Sequence, residues 1–286
     1  MRLSQLFTLV VASVASVSAH GAVLFEDDFE SYTAGDPLPI TGPWTGFSDI
    51  DSGAITVRED TVPIFGAGNQ YLDYEDNNLD GSGGSVSDHP SVYGEFTGSS
   101  SEVFTASFDF YEPDLGPEGR FKLRFGEGSG SISTSSEIIY EIQLENGDVR
   151  GSWGLDNDNN VNDGDGVEDL VLTGMYSLDE VHHIDLITNL SDSPISYGGA
   201  QTLGAKGYDI WLDGVLIAQD VLFRRTSETE VNQVQIEGEN NETQQMFVDN
   251  LVISDEVVLP EGVPEPSSIA LVAAAIGSAL LPRSRR

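Results

Sequence analysis

The sequence predicts an all-β fold, two antiparallel sheets packed face to face, and three observations carry that expectation. Short apolar and polar alternations recur along the chain, separated by Gly, Ser, Asn and Asp. Between the two terminal segments, stretches of helical period are nearly missing. Two dipeptides suited to tight hairpins, Asn146-Gly147 and Asp213-Gly214, each stand between two such alternations.

In chain order, the first extended piece is Val23-Leu24-Phe25, followed by a loop-like stretch from Glu30 to Gly46 and by Ala54 to Arg58 and Gln70 to Tyr74. Asn77 to Asp88 is rich in Gly and Ser and too poor in apolar residues to enter a core. Phe104, Ala106, Phe108 and Phe110 then alternate with Thr105, Ser107, Asp109 and Tyr111, and Phe121, Leu123 and Phe125 alternate with Arg120, Lys122 and Arg124. A period of two puts the phenylalanines on one face and the charges on the other. Glu137 to Glu145 and Asp148 to Trp153 flank the first hairpin dipeptide, and Tyr208 to Leu212 and Val215 to Val221 flank the second. His183 to Asn189, Val231 to Glu237 and Met246 to Ile253 complete about twelve strands with no helix.

The order of these features resembles the concanavalin A-like, laminin-G-like jelly roll. The stretches that carry the likeness are Phe25-Glu26-Asp27-Asp28-Phe29-Glu30-Ser31-Tyr32, Tyr208-Asp209-Ile210-Trp211-Leu212-Asp213-Gly214-Val215 and Phe247-Val248-Asp249-Asn250-Leu251-Val252-Ile253. The resemblance implies a sandwich over residues 20–256 whose first and last strands are neighbours, with Asp249-Asn250 a structural pair near both ends. Residues 257–262 read as a linker.

Both ends read as addresses. Met1-Arg2, the apolar run Leu6 to Val17 and the small residues Val17-Ser18-Ala19 predict an export signal over residues 1–19. At the other end Val263-Pro264-Glu265-Pro266 precedes a run of 13 residues, Ile269 to Leu281, and then Arg283, Arg285 and Arg286. As a helix that run spans about 20 Å, short of the ~30 Å hydrocarbon core, and the arginines hold their end on the cytoplasmic side. Residues 263–286 resemble the PEP-CTERM sorting signal of Gram-negative bacteria that make exopolysaccharide. The resemblance implies transient association with the inner membrane, removal of the tail by an exosortase, and release or re-anchoring at the cell surface or extracellular matrix. A chance amphiphilic tail is the plain alternative.

Composition excludes several function classes. The chain has 48 acidic and 12 basic residues and a formal net charge of −36; without Arg2, Arg283, Arg285 and Arg286, eight basic residues remain. Such a surface repels nucleic acid and anionic lipid and attracts divalent cations. The absence of cysteine removes disulfides, thiolate metal sites and thiol nucleophiles.

Catalytic patterns are equally sparse. Glu137, Glu141 and Glu145 share a strand face but lie about 13 Å apart at ~3.3 Å per residue, where paired glycosidase carboxylates need about 5 Å or up to about 9.5 Å. They read as a solvated strand edge. His182-His183 beside Asp185 lacks a matched Ser or third ligand, and Lys206-Gly207-Tyr208 is too small a fragment to make a lyase cleft. His20, first in the mature chain, offers an amine and an imidazole to copper, against the plain reading that it merely follows the cleavage site.

Two candidate binding features remain. Asp156, Asp158, Asn160, Asn162, Asp163 and Asp165 crowd oxygen donors onto a Gly-bearing loop, similar to dockerin and thrombospondin-type calcium loops, but Val161 stands where an EF-hand turn wants Gly. The loop is either a calcium site or a hydrated acidic turn. Trp211 between Asp209 and Asp213 faces away from Tyr208, Ile210 and Leu212, which suits stacking on a pyranose ring or a half-buried place under a loop. Arg120, Lys122 and Arg124 form a stripe either for acidic polysaccharide or for cross-strand pairing with Asp109 or a neighbouring Glu. The expected role is an exported, non-catalytic matrix protein that binds extracellular polysaccharide with calcium support. The alternative is a hydrolase or lyase with an unfamiliar active site.

Overall fold

A computed structural model describes residues 22–48, 53–76, 90–97, 102–116, 119–132, 137–151, 170–198, 201–224, 230–239 and 244–260. The export segment 1–19, His20, the loop 77–88, the acidic loop 156–169 and the sorting tail 263–286 lie outside the described residues.

The described residues form seventeen strands and no helix. In chain order they are β1 (Val23–Asp27), β2 (Gly46–Ser48), β3 (Gly53–Glu59), β4 (Gln70–Asp76), β5 (Ser91–Glu95), β6 (Val103–Tyr111), β7 (Arg120–Gly126), β8 (Ile138–Glu145) and β9 (Asp148–Arg150). They continue as β10 (Val171–Leu172), β11 (Val181–Asn189), β12 (Ile195–Tyr197), β13 (Gln201–Leu203), β14 (Gly207–Leu212), β15 (Val215–Leu222), β16 (Gln233–Glu239) and β17 (Gln244–Ser254). One antiparallel sheet runs β15-β14-β11-β6-β17-β4-β3, with β1 also paired to β17; the other runs β10-β9-β8-β7-β16-β5-β2, and β12-β13 is a separate hairpin.

The sheets pack together because each contributes one apolar phase of its alternation. Phe104, Phe108 and Phe110 of β6 and Tyr208 and Ile210 of β14 meet Phe121, Leu123 and Phe125 of β7 and Tyr140, Ile142 and Leu144 of β8 in one buried core. Tyr140 stacks at 4.7 Å on Phe125 and 4.4 Å on Tyr208, and its hydroxyl bonds Thr188 Oγ1 at 2.8 Å, so its polar end is satisfied inside the core. Both hairpin dipeptides adopt the expected positive φ: Asn146 50° and Gly147 85°, Asp213 49° and Gly214 74°.

The first and last described strands are neighbours, and Asp249-Asn250 marks where β17 changes partners. Up to Val248 this strand pairs with β4; from Leu251 it pairs with β1, and its register against β6 shifts between Asp249 and Val252. Asn250, at φ 51°, is the extra residue of that bulge. Val248 and Leu251 therefore both reach the core while Asp249 and Asn250 make their hydrogen bonds on the opposite face.

Several expectations need correction. Five strands escaped the pattern, β2, β5, β10, β12 and β13, because runs of two to five residues show too few alternations. Glu141 is not on a solvated edge: β8 lies between β7 and β9, and Glu141 is 2% exposed against Arg124 Nε at 2.9 Å. The basic stripe, by contrast, follows the cross-strand reading and pairs with neighbouring glutamates: Arg120 with Glu145 at 3.0 Å and Arg124 with Glu141 and Glu237. Val257 and Leu259, read as linker, pack back on the sandwich.

Candidate functional site

Opposite the core, the eight-stranded sheet presents its second phase, and the strand register sorts those residues into rows. Trp211 and Ile187 occupy one end with Tyr197 and Leu203, beneath the β12-β13 hairpin and the returning residues Val257 and Leu259. Thr105 Oγ1 fastens that return, donating to Glu256 O at 2.8 Å and accepting from Val258 N at 3.0 Å. Trp211 is thus 5% exposed, with its indole N–H donated to Tyr197 Oη at 3.1 Å. Asp209 is fully buried, accepting from Tyr197 Oη and, at 2.7 Å, from Asp220 N. Asp213 is a turn anchor: it accepts from His183 N and bonds His182 Nδ1, both at 2.8 Å. These three residues do not form an open sugar platform, because the hairpin and the C-terminal return cover the indole.

The other half of this face carries a row of aromatic rings, in which Tyr111 and Phe247 are half-buried and Tyr71 is buried. Tyr111 of β6 lies directly across from Phe247 of β17, with ring centroids 5.5 Å apart and planes within 6°; Tyr71 of β4 follows at 5.0 Å. The next row of the register sets His183, Asp109 and Asp249 side by side on β11, β6 and β17. His183 Nδ1 bonds Asp109 Oδ1 at 2.6 Å and its Nε2 lies 3.3 Å from Asp185 Oδ1. Asn250 Nδ2 donates to Asp109 Oδ2 at 2.8 Å, and Asn69 Nδ2 to Asp249 Oδ2 at 2.8 Å. At the far edge Arg58 pairs with Asp73 at 2.9 Å.

This network sets its own protonation. The bonds to Asp109 and then Asp185 raise the His183 imidazole to about 10 against the opposing effect of burial, so it is imidazolium at neutral pH with both N–H groups committed. Burial raises the Asp249 carboxyl to about 6, although Asn69 and the Asn250 amide favour its ionised form. The face therefore sets a half-buried, mutually stacked aromatic pair beside a row of charged and amide groups, of which His183, Asp109 and Asn250 reach solvent.

Sequence reading passed over Tyr111, Phe247, Asp109 and the partnership of His183. The available signal was an aromatic on the polar phase of a strand: Tyr111 is out of step with Phe108 and Phe110, and Phe247 with Met246 and Val248. A concavity of about 470 Å³ elsewhere on the molecule is lined by Glu26, Asp27, Asp28 and Tyr32 among others. Asp27 there is an internal anchor, accepting from Phe29 N at 2.8 Å and from Tyr32 Oη and Trp44 Nε1 at 2.6 Å each.

No protein-family model matches the chain, and no curated protein matches it in sequence. Among solved structures it is similar to an endo-β-1,4-glucuronan lyase from the fungus Trichoderma reesei, with TM-score 0.49 and 12% identity over 79% of this chain and 94% of that one. It is also similar to the binding domain of botulinum neurotoxin DC in complex with rat synaptotagmin II, with TM-score 0.43 and 10% identity over 79% of this chain and 46% of that one. Trypanosoma rangeli sialidase gives TM-score 0.36 and 17% identity over 61% and 23%. The chain spans less than half the length of the neurotoxin domain and of the sialidase.

Proposed function

We propose that this protein is an exported, surface-sorted, non-catalytic carbohydrate-binding sandwich of the concanavalin A-like jelly-roll type, working in an extracellular polysaccharide matrix. The observation that carries the reading is the parallel, mutually stacked Tyr111 and Phe247 pair beside the His183, Asp109 and Asp249 row. Stacking supplies apolar contact for one face of a sugar, and the charged row supplies fixed donors and acceptors for its hydroxyls. Binding is favoured over chemistry because both nitrogens of His183 are engaged with carboxylates, which leaves it no lone pair for a general base.

The terminal sequences support the rest. Residues 1–19 and the Val263-Pro264-Glu265-Pro266 tail suit export, brief residence at the inner membrane and processing by an exosortase, and the Asp156 to Asp165 loop suits calcium.

Incubating the purified protein with neutral, amino-sugar and uronate polysaccharides, with and without chelator, tests the reading. Saturable binding that Tyr111→Ala or Phe247→Ala weakens about tenfold is expected, an effect of ~1.4 kcal/mol for one lost ring contact. Calcium support predicts weaker binding in chelator. Release of reducing ends or unsaturated sugars would move the assignment to an enzyme, and absence of binding to every polymer would remove it.

A further inference from the structure

Asp249 is 1% exposed, yet among the described residues no cation pairs with its carboxyl. Glu30 in the loop after β1 and Asp109 on β6 face it with like charge. The cations of the same sheet face are taken elsewhere, Arg58 of β3 by Asp73 of β4 and His183 of β11 by Asp109 and Asp185. Tyr71 of β4 and Tyr111 of β6 are neutral neighbours, their phenols raised by burial.

Amide groups hold this carboxyl in place of a cation. Its Oδ1 accepts from Asn250 N at 2.8 Å, and its Oδ2 accepts from Asn69 Nδ2 at 2.8 Å and from Asn250 Nδ2 at 3.3 Å. The same Asn250 Nδ2 donates to Asp109 Oδ2 at 2.8 Å, so one side-chain amide clamps two carboxylates that the register sets side by side. Asn250 lies in the bulge, where ladder pairing with β6 is interrupted, and these bonds are what hold its exposed side chain. A proton on Asp249 upsets the arrangement. Either oxygen, once a hydroxyl, needs an acceptor and meets N–H donors, two at Oδ2 and one at Oδ1.

From this geometry we infer that Asp249 is a proton-operated latch on the carbohydrate face: ionised, it clamps Asn250 against Asp109, and protonated, it releases that side chain. This rests on the carbohydrate-binding reading above and adds its regulation. A released Asn250 must be ordered again when sugar binds, so affinity falls with pH. Burial places the change near pH 6, and His183, raised to about 10, keeps its charge across it. Asp249 is thus a positioning residue that acts through Asn250.

The test has two arms on the whole purified protein. The first needs no sugar: the side-chain amide signals of Asn250 are followed by NMR from about pH 4.5 to about pH 7.5, a range that brackets the titration of a buried carboxyl. A step with its midpoint near 6 is expected, absent in Asp249→Asn, whose folding is checked by its thermal melt. Unchanging signals, or a step that survives in Asp249→Asn, overturn the inference. The second arm is calorimetric titration with uncharged hexasaccharides of glucose and of N-acetylglucosamine. Binding at about pH 5 is expected to be roughly three- to tenfold weaker than at about pH 7.5. Asn250→Gly keeps the positive φ of the bulge without its amide, and is expected to bind weakly at both values with no step. Equal affinity of the unmodified protein at the two values overturns the latch and leaves carbohydrate binding standing. Absence of binding at either value, with the Asn250 step present, removes the carbohydrate reading and leaves the latch.

Discussion

His183 is held as a cation by two carboxylates that the fold delivers from different places: Asp109 from β6 and Asp185 from its own strand. Its pKa, raised from 6.5 to about 10, means that the folded state keeps a proton that the unfolded chain releases. The resulting stabilisation is complete below about pH 6.5 and disappears as pH rises through about 10. Urea unfolding midpoints are accordingly expected to fall between pH 7 and 10, and to fall less in His183→Gln; an equal fall in both proteins would contradict the network. Asp249, raised by burial to about 6, also binds its proton more tightly when folded. Its contribution is greatest below about pH 4 and is lost as pH rises through about 6. A carbon-detected titration of the Asp249 carboxyl should show a midpoint near 6, and a midpoint near 4 would contradict the burial argument. At this scale the sequence was least informative. His183 and Asp185 are visible as neighbours, but Asp109 stands 74 residues away, and the pairing of β6 with β11 that unites them is not written locally.

The elements follow their sequence patterns closely where those patterns are long. The phenylalanines of β6 and β7 are buried, as a period of two requires, and both hairpins turn at the expected dipeptides. At Gly147, φ is 85° and an added Cβ would lie 2.9 Å from Tyr176 O. Gly147→Ala is therefore expected to lower stability by about 1–2 kcal/mol, measured by denaturant unfolding, and an unchanged midpoint would contradict the turn geometry. Outer faces were harder to read, because their burial depends on what crosses them. Trp211 alternates correctly away from the core, yet the β12-β13 hairpin and the return of residues 255–260 enclose it in a second apolar cluster. Leu259→Asp is expected to loosen that return, increasing iodide quenching of tryptophan fluorescence with the main core intact. Quenching equal to that of the unmodified protein would mean that the return does not shield the indole.

For the whole molecule, two sheets with different outer surfaces give the sandwich two chemically distinct sides. The side formed by β7, β8 and β16 balances its basic residues with glutamates close to the sheet. The side formed by β4, β6, β11 and β17 displays aromatic rings and acidic groups. Alternation was enough to predict an all-β sandwich and its core. It was not enough to tell a buried outer face from an open one, since register and crossing segments decide that. The central claim is that sugar binds on the eight-stranded sheet, and backbone amide shifts during titration with a hexasaccharide of whichever polysaccharide binds test it most directly. The account predicts that the largest changes gather at Tyr111, Phe247, Asp109, His183 and Asn250, with little at Lys122, Arg124 or Gln143. Changes centred on the latter three residues, or on Trp211, would contradict it.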